Sequence, residues 1–132
     1  MSETDERPRI LVAGDGAVPT GFARVMEGIF TPLAAAYEIH QLATNYRGDP
    51  HGHAWNLYPA EAGGDRWGAN RLLTLIEKIK PSLVFILNDI WVQHAYLNEL
   101  RKMKDPPPVV LYCPVDGGPL DAEIAPASVY ER

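Results

Sequence analysis

Short apolar runs, separated by longer segments of helical period, constrain the fold of this chain more than any other feature. Runs of four or five apolar residues that lack regular alternation are typical of strands buried on both faces, as in a parallel sheet covered by helices. The predicted strands are residues 9–13, residues 38–42, a short aromatic stretch around Trp55, Leu57 and Tyr58, residues 83–87 and residues 109–112.

Three of the intervening segments carry apolar residues at spacings of three and four, which predicts amphipathic helices. The first helix begins at Gly21 with Thr20 as its cap, and it bends or ends at Pro32. The second has Asp65 as its predicted cap and is stopped by Pro81. The third lies between the last two strands. The apolar faces consist of Phe22, Val25, Met26, Ile29, Phe30 and Leu33, then Leu72, Leu73, Ile76 and Ile79, then Val92, Tyr96, Leu100 and Met103.

The order of these elements predicts an α/β fold, because right-handed crossovers between successive strands build a parallel sheet with helices on both faces. We expect a Rossmann-like, three-layer α/β/α domain with a mainly parallel sheet in the order 3-2-1-4-5. Residues 1–8 are a polar tail, predicted to be disordered, and residues 9–120 form the domain. Residues 121–132 resemble a truncated continuation or linker, so we expect an exposed sheet edge and self-association.

Charge and composition narrow the class of partner. The net charge is -5, with no cluster of Lys and Arg that would neutralise a row of phosphates, which argues against nucleic acid. The single cysteine, Cys113, cannot form an internal disulfide and fits a reducing compartment. No signal peptide and no apolar run of about 18 residues is present. We therefore expect a cytoplasmic protein without a transmembrane segment.

In open parallel sheets, ligands bind at the carboxyl ends of the strands beside the point where the strand order reverses. Here that rule selects the loops at residues 14–21, 88–91 and 114–118, and the loop after the second strand adds polar groups to the same edge. The candidate substrate-binding residues are Gly14, Gly16, Thr20, Gly21, Asn45, Tyr46, Arg47, Asn88, Asp89, Trp91, Asp116 and Gly117.

Each of these loops has two interpretations. The first glycine loop leads into a helix amino terminus that favours a phosphate or a sugar hydroxyl, or it is simply a tight turn. A nicotinamide cofactor is disfavoured, because Pro19 stands where the third glycine of G-x-G-x-x-G belongs. Asn88, Asp89 and Trp91 combine the groups that bind and stack on sugars, or Asp89 caps a helix and Trp91 packs in the core.

The sequence gives weaker evidence for a metal site or for nucleophilic catalysis. Asp116 with Gly117 is either a turn or a polar contact to a ligand. The stretch at residues 49–53 contains His51 and His53, but its spacing matches no strong metal motif and a solvated loop is favoured. Cys113 is followed by proline and has no nucleophile-elbow pattern around it. We therefore assign no metal, no cofactor and no catalytic residue.

Several spaced motifs together resemble the amino-terminal domain of GT-B glycosyltransferases, most closely the retaining, group 1 type. The resemblance covers about residues 9–120. The motifs are PTGFAR at 19–24, NYRGD at 45–49, GDRWG at 64–68, FILNDIW at 85–91 and PVDG at 114–117.

The resemblance implies two Rossmann-like domains that face each other across a cleft. The amino-terminal domain would mainly hold the acceptor, which is a glycan, a lipid-linked molecule or a small molecule, and the carboxyl-terminal domain would hold a nucleotide-sugar co-substrate. It also implies transfer without a metal, with amides of residues 14–21 near the donor diphosphate. The alternative is a non-catalytic Rossmann-like binding or interaction module, and a second domain with a basic residue and two spaced glutamates would discriminate against it.

We expect negligible transferase activity from the 132-residue chain alone. The basic residues and glutamates that the resemblance assigns to the second domain would stabilise the departing diphosphate, and without them most of the electrostatic contribution to catalysis is lost. A coupled assay of nucleotide release checks this. Robust turnover that depends on the purified chain would refute the expectation.

Overall fold

Strands and helices alternate along the part of the chain described by this computed structural model, which comprises residues 6–16, 21–46, 48, 55–63 and 67–112. The elements in chain order are β1 (Arg9–Asp15), α1 (Gly21–Phe30), β2 (Glu38–Thr44), β3 (Asn56–Pro59), a 3-10 turn (Ala60–Gly63), α2 (Ala69–Ile79), β4 (Leu83–Leu87), α3 (Ile90–Leu100) and β5 (Val109–Tyr112).

The strands form one five-stranded sheet in the order β3-β2-β1-β4-β5, and every pair is parallel. This confirms the predicted fold class and strand order. β1 lies at the centre, where its register pairs Ala13 with Leu42 of β2 and with Ile86 of β4. The order reverses between β1 and β4, so the carboxyl ends of these two strands flank the switch point.

Helices cover both faces of the sheet, and alternate residues of each strand point to opposite layers. α2 and α3 pack on one face around Leu11, Leu42 and Ile86. α1 packs on the other face around Val12 and Leu87. This arrangement explains why the central strands are continuous apolar runs without alternation. It also leaves Val110 and Tyr112 of the outer strand β5 exposed.

The element boundaries differ from the sequence predictions at the ends of β1, β2 and α3 and at the start of α2. α3 ends at Leu100, before the predicted face residue Met103. β1 and β2 each continue two residues further, to Asp15 and Thr44, because side chains near their ends are bonded together rather than solvated. The prediction that Asp65 caps α2 is wrong: the helix begins at Ala69, and its N-cap is Gly68 in the left-handed region, with φ 73°. The predicted cap of α1, Thr20, lies outside the described residues.

Among the described residues, no helix combines the length and the apolar character needed to cross a membrane.

The backbones of β1 and β4 approach closely at Gly14. A Cβ atom at this position would lie 2.9 Å from the Leu87 carbonyl oxygen and 2.5 Å from Cε of Met26. The methionine end can move, but the strand carbonyl cannot move without disturbing the sheet. The absence of a side chain at Gly14 therefore allows the sheet to close beside the switch point.

We predict that Gly14→Ala lowers the free energy of unfolding by about 1–3 kcal/mol, the usual cost of forcing an extra methyl group into a packed interior. Gly28→Ala in α1 is the matched control, because no heavy atom lies within 4 Å of the added Cβ. The control should be neutral or stabilise the protein by up to about 1 kcal/mol, since alanine favours helix. Urea unfolding of both variants measures the difference, and equal stabilities would contradict the prediction.

Candidate functional site

The carboxyl end of β1 is held by the buried side chain of Gln41 in β2. Its Nε2 donates to the carbonyl oxygens of Gly14, at 3.0 Å, and Asp15, at 2.9 Å. Its Oε1 accepts a hydrogen bond from Nε1 of Trp55 at 2.9 Å. One amide thus satisfies two carbonyls at the strand end and joins them to the start of β3.

Asp15, which the sequence analysis did not select, lies at the centre of a second network at this edge. Its side chain is buried, and Oδ1 accepts from Oγ1 of Thr44 at 2.6 Å and from Nδ2 of Asn45 at 3.0 Å. Asn45 has φ 63°, a left-handed conformation that asparagine tolerates better than most residues. The network fixes the chain as it leaves β2, directly before the buried residue Tyr46.

Two glycines of the first loop allow neighbouring atoms to pack closely. Gly14 allows the approach to β4, and a Cβ on Gly16 would lie 2.9 Å from both Cβ of Ala43 and Nε2 of Gln41. Gly21, by contrast, has no heavy atom within 4 Å of an added Cβ. Close packing therefore accounts for glycine at positions 14 and 16, while the turn into α1 lies partly outside the described residues. Contact with a ligand stays a prediction for Gly14, Gly16 and Gly21.

At the other side of the switch point, β4 ends at a buried asparagine. Asn88 is 2% exposed, and its Oδ1 accepts a hydrogen bond from the backbone N–H of Asp89 at 2.9 Å. Its Nδ2 is fully buried and has no hydrogen-bond partner among the described residues. A buried amide donor without a partner carries a desolvation cost, and such groups call for a specific explanation.

Asp89 is the N-cap residue of α3 by position, in an extended conformation, but its side chain makes no capping hydrogen bond. Within the described part of the chain, the exposed carboxylate has no hydrogen-bond or ion-pair partner. The Asp89 side chain therefore does not cap α3, although the residue occupies the N-cap position. Its charge is available at the surface, beside the amide groups of the first turn of α3.

Trp91 lies on the surface and not in the core, since it is 54% exposed. Its ring contacts that of Trp67 edge to face, with centroids 5.2 Å apart and planes at 84°. The carbonyl of Trp67 accepts a hydrogen bond from the hydroxyl of the buried Tyr96, at 2.6 Å. We call Asn88, Asp89, Trp91 and Trp67 the β4–α3 corner.

A second buried glutamine braces this corner. Nε2 of Gln93 donates to the carbonyl of Asn88, at 3.1 Å, and to the carbonyl of Tyr112 in β5, at 2.8 Å. Sequence reasoning missed both Gln93 and Gln41. The available signal was the same in each case, a polar residue inside an otherwise apolar strand or helix face.

The structure thus brings the predicted residues together in two groups. Gly14, Gly16, Asn45 and Tyr46 lie at the ends of β1 and β2, and the β4–α3 corner lies next to them across the close contact between Gly14 and Leu87. Four predicted site residues lie outside the described residues, as does the stretch at 49–53 that contains His51 and His53. The four are Thr20, Arg47, Asp116 and Gly117.

A separate polar cluster joins β2 to β3. Nδ1 of His40 is 2.8 Å from the hydroxyl of Tyr58, and Nε2 is 2.5 Å from Oε2 of Glu38. Arg71 of α2 donates to the carbonyl of Pro59, the residue after Tyr58. Burial, and then the negative charge of Glu38, raise the pKa of Tyr58, while Arg71 opposes the shift.

No group of three or more His, Cys, Asp or Glu side chains suited to a metal ion occurs in the described part of the chain. No protein-family model matches the sequence, and no curated protein matches it. The fold and the chemistry of the edge are therefore the basis for a functional assignment.

We predict that Tyr58 makes the protein less stable at alkaline pH. Its pKa in the folded state lies above the unfolded value of 10.0, so above that pH the unfolded chain releases this proton more readily than the folded chain. The stability that depends on the protonated phenol is present below about pH 10 and is lost as the pH rises through the folded-state pKa.

Urea unfolding between about pH 8 and about pH 11 measures this effect. The wild-type chain should lose more stability over this range than Tyr58→Phe, which cannot ionise there. Tyr37→Phe, on the α1 face, is the matched control for the removal of a phenol hydroxyl. Parallel pH profiles for the wild type and Tyr58→Phe would contradict the prediction.

Proposed function

We propose that this chain binds a sugar at the β4–α3 corner and acts as the mainly acceptor-binding half of a glycosyltransferase that uses a nucleotide-sugar donor. The observation that carries the proposal is the combination, after the end of β4, of an exposed ring on Trp91 and an exposed carboxylate on Asp89 that makes no capping bond.

These groups match the chemistry of a sugar ring. A hydroxyl group both donates and accepts, so a sugar hydroxyl can donate to the exposed carboxylate of Asp89. The C–H face of a pyranose is apolar and packs against aromatic rings, which is the common way in which a binding site combines a flat apolar wall with a few polar groups. Trp91 offers such a wall.

The location supports the same proposal. The corner lies beside the switch point of an open parallel sheet, where ligands of this architecture bind. The neighbouring loop at residues 14–21 enters the amino terminus of α1, which suits the diphosphate of a donor held by a second domain. The transferase part of the proposal rests on the resemblance of five spaced motifs to GT-B enzymes, and four of them, at 19–24, 45–49, 64–68 and 85–91, include described residues at this edge.

In this proposal the chain contributes binding and orientation of the acceptor. Holding the acceptor in a fixed geometry relative to a donor supplies a large part of the rate enhancement of a two-substrate reaction. The acceptor is a glycan, a lipid-linked molecule or a small molecule that presents a sugar ring to the corner. Stabilisation of the leaving diphosphate falls mainly to the donor-binding domain.

We predict that the chain binds simple glycosides and that Trp91→Ala weakens this binding by roughly three- to tenfold, the value of an aromatic contact beyond its buried area. Asn88→Ala should weaken it by about fivefold, because the side-chain oxygen that holds the backbone N–H of Asp89 is lost. Ligand-observed NMR with a panel of glycosides and nucleotide-sugars measures the affinities.

Val110→Ala is the matched control for Trp91→Ala, because it also removes an exposed apolar side chain but lies within β5, away from the corner. It should leave binding within about twofold of the wild type. Binding that is unchanged in both Trp91→Ala and Asn88→Ala would remove the corner from the site. A chain that binds none of the sugars would refute the proposed function.

A further inference from the structure

The exposed ring of Trp91 is supported by a residue from a different part of the chain. Trp67 precedes α2, whereas Trp91 lies in the first turn of α3, and their rings meet edge to face with centroids 5.2 Å apart. A side chain that is 54% exposed changes rotamer freely unless a neighbouring group restrains it. The contact with Trp67 supplies such a restraint at the β4–α3 corner.

The segment that carries the Trp67 ring is itself fixed. The carbonyl of Trp67 accepts a hydrogen bond, at 2.6 Å, from the hydroxyl of Tyr96, which is fully buried and would lose stability without an acceptor. The next residue, Gly68, has φ 73°, and a Cβ atom there would lie 2.9 Å from Cβ of Ala60. The ring of Trp67 packs, partly buried, against the core between the sheet and helices α2 and α3. Trp67 is therefore a firm support for a neighbouring ring.

We propose that Trp67 is a positioning residue for the sugar site. It holds the ring of Trp91 in one orientation, in which the ring packs against the C–H face of a sugar, and it acts through Trp91 without touching the sugar itself. This inference rests on the proposed function, in which Trp91 is the stacking surface, and adds the residue on which the orientation of that surface depends.

The contribution of Trp67 to affinity comes from side-chain entropy. Immobilising one flexible side chain at the moment of binding weakens affinity by roughly two- to tenfold. An edge-to-face aromatic contact favours the held orientation by a similar factor, so Trp67 imposes much of this order on Trp91 before a ligand binds. Removal of the Trp67 ring should transfer the cost of ordering Trp91 to the binding step.

The first measurement is the mobility of Trp91 in the free protein, from NMR relaxation of its indole N–H. The order parameter should be close to the rigid value of about 0.85 in the wild type and should fall below about 0.6 in Trp67→Leu, which keeps an apolar side chain but removes the ring. Trp67→Phe should restore most of the order, because it keeps an aromatic contact. Leu73→Ala is the matched control, because it removes a partly buried side chain from the same core cluster but leaves both indole rings in place.

The second measurement is the affinity for the methyl glycosides of glucose, mannose and galactose, by ligand-observed NMR. Trp67→Leu should weaken binding by roughly two- to tenfold, whereas Trp67→Phe and Leu73→Ala should stay within about twofold of the wild type. When Trp91→Ala is already present, Trp67→Leu should cause no further loss, because a residue that acts only through Trp91 is fully coupled to it. Additive losses would show that Trp67 touches the sugar and would overturn the inference.

The remaining outcomes separate the two proposals. If Trp91→Ala weakens glycoside binding but Trp67→Leu leaves the affinity or the order parameter of Trp91 unchanged, the proposed function stands and the assignment of Trp67 is wrong. If the wild type binds no glycoside, or if Trp91→Ala binds as tightly as the wild type, the proposed function fails and the inference fails with it.

Urea unfolding shows whether each variant is folded. If Trp67→Leu does not fold, Tyr96→Phe takes its place, because it removes only the hydroxyl that bonds the Trp67 carbonyl. The same loss of order at Trp91 and the same weakening of binding are then expected, and their absence would overturn the inference.

Discussion

Two buried glutamine side chains hold the ends of the central strands, and the geometry of the whole carboxyl edge depends on them. Gln41 bonds the last carbonyls of β1, and Gln93 bonds the carbonyl of Asn88 after β4 and that of Tyr112 in β5. Backbone carbonyls at the end of a parallel sheet lose their ladder partners while still buried, and each one left unpaired would cost free energy. An amide that donates twice satisfies two of them at once.

The two sides of the switch point differ in how fully their polar groups are satisfied. On the β1–β2 side, Asp15, Thr44, Asn45 and Gln41 are joined to one another or to the backbone. At the β4–α3 corner, by contrast, the buried Nδ2 of Asn88 has no partner among the described residues, and the exposed carboxylate of Asp89 makes no capping bond. The polar side chains of the first side are therefore held by bonds within the fold, whereas the carboxylate of Asp89 keeps its hydrogen-bonding capacity at the surface.

The centre of the sheet follows from the sequence because burial on both faces leaves apolar runs in β1 and β4, whereas β3 and β5 are only partly buried. Alternating strands and helices with right-handed crossovers predict a parallel sheet, and the observed order is the expected Rossmann-like order 3-2-1-4-5. The start of α2 is not predictable in this way. A Cβ on Gly68 would lie 2.9 Å from Cβ of Ala60 and 3.1 Å from Cδ1 of Leu42, so the left-handed cap is selected by tertiary packing. No local pattern around Asp65 contains that information.

In the candidate site, too, the location is predictable from the sequence and the details are not. The edge at which the candidate site lies is predictable, since parallel strands place all their carboxyl ends together. The partners of individual side chains are not. The same local sequence allows Trp91 to pack in the core or to lie at the surface, and the outcome depends on which face of α3 meets the sheet. Gln93 and Tyr96 lie on that buried face, so Trp91 is left outside it.

The position of Trp67 determines how well the corner is preorganised. Trp67 belongs to the connection between β3 and α2, far from α3 in sequence, yet its carbonyl is bonded to the hydroxyl of Tyr96, a fully buried residue of α3. That bond anchors the backbone beneath the ring, and the edge-to-face contact then restrains Trp91. A free surface tryptophan would lose side-chain entropy when a ligand packs on it, whereas a ring restrained in advance loses less. Trp67 therefore restrains the aromatic surface on which we propose that a sugar ring packs.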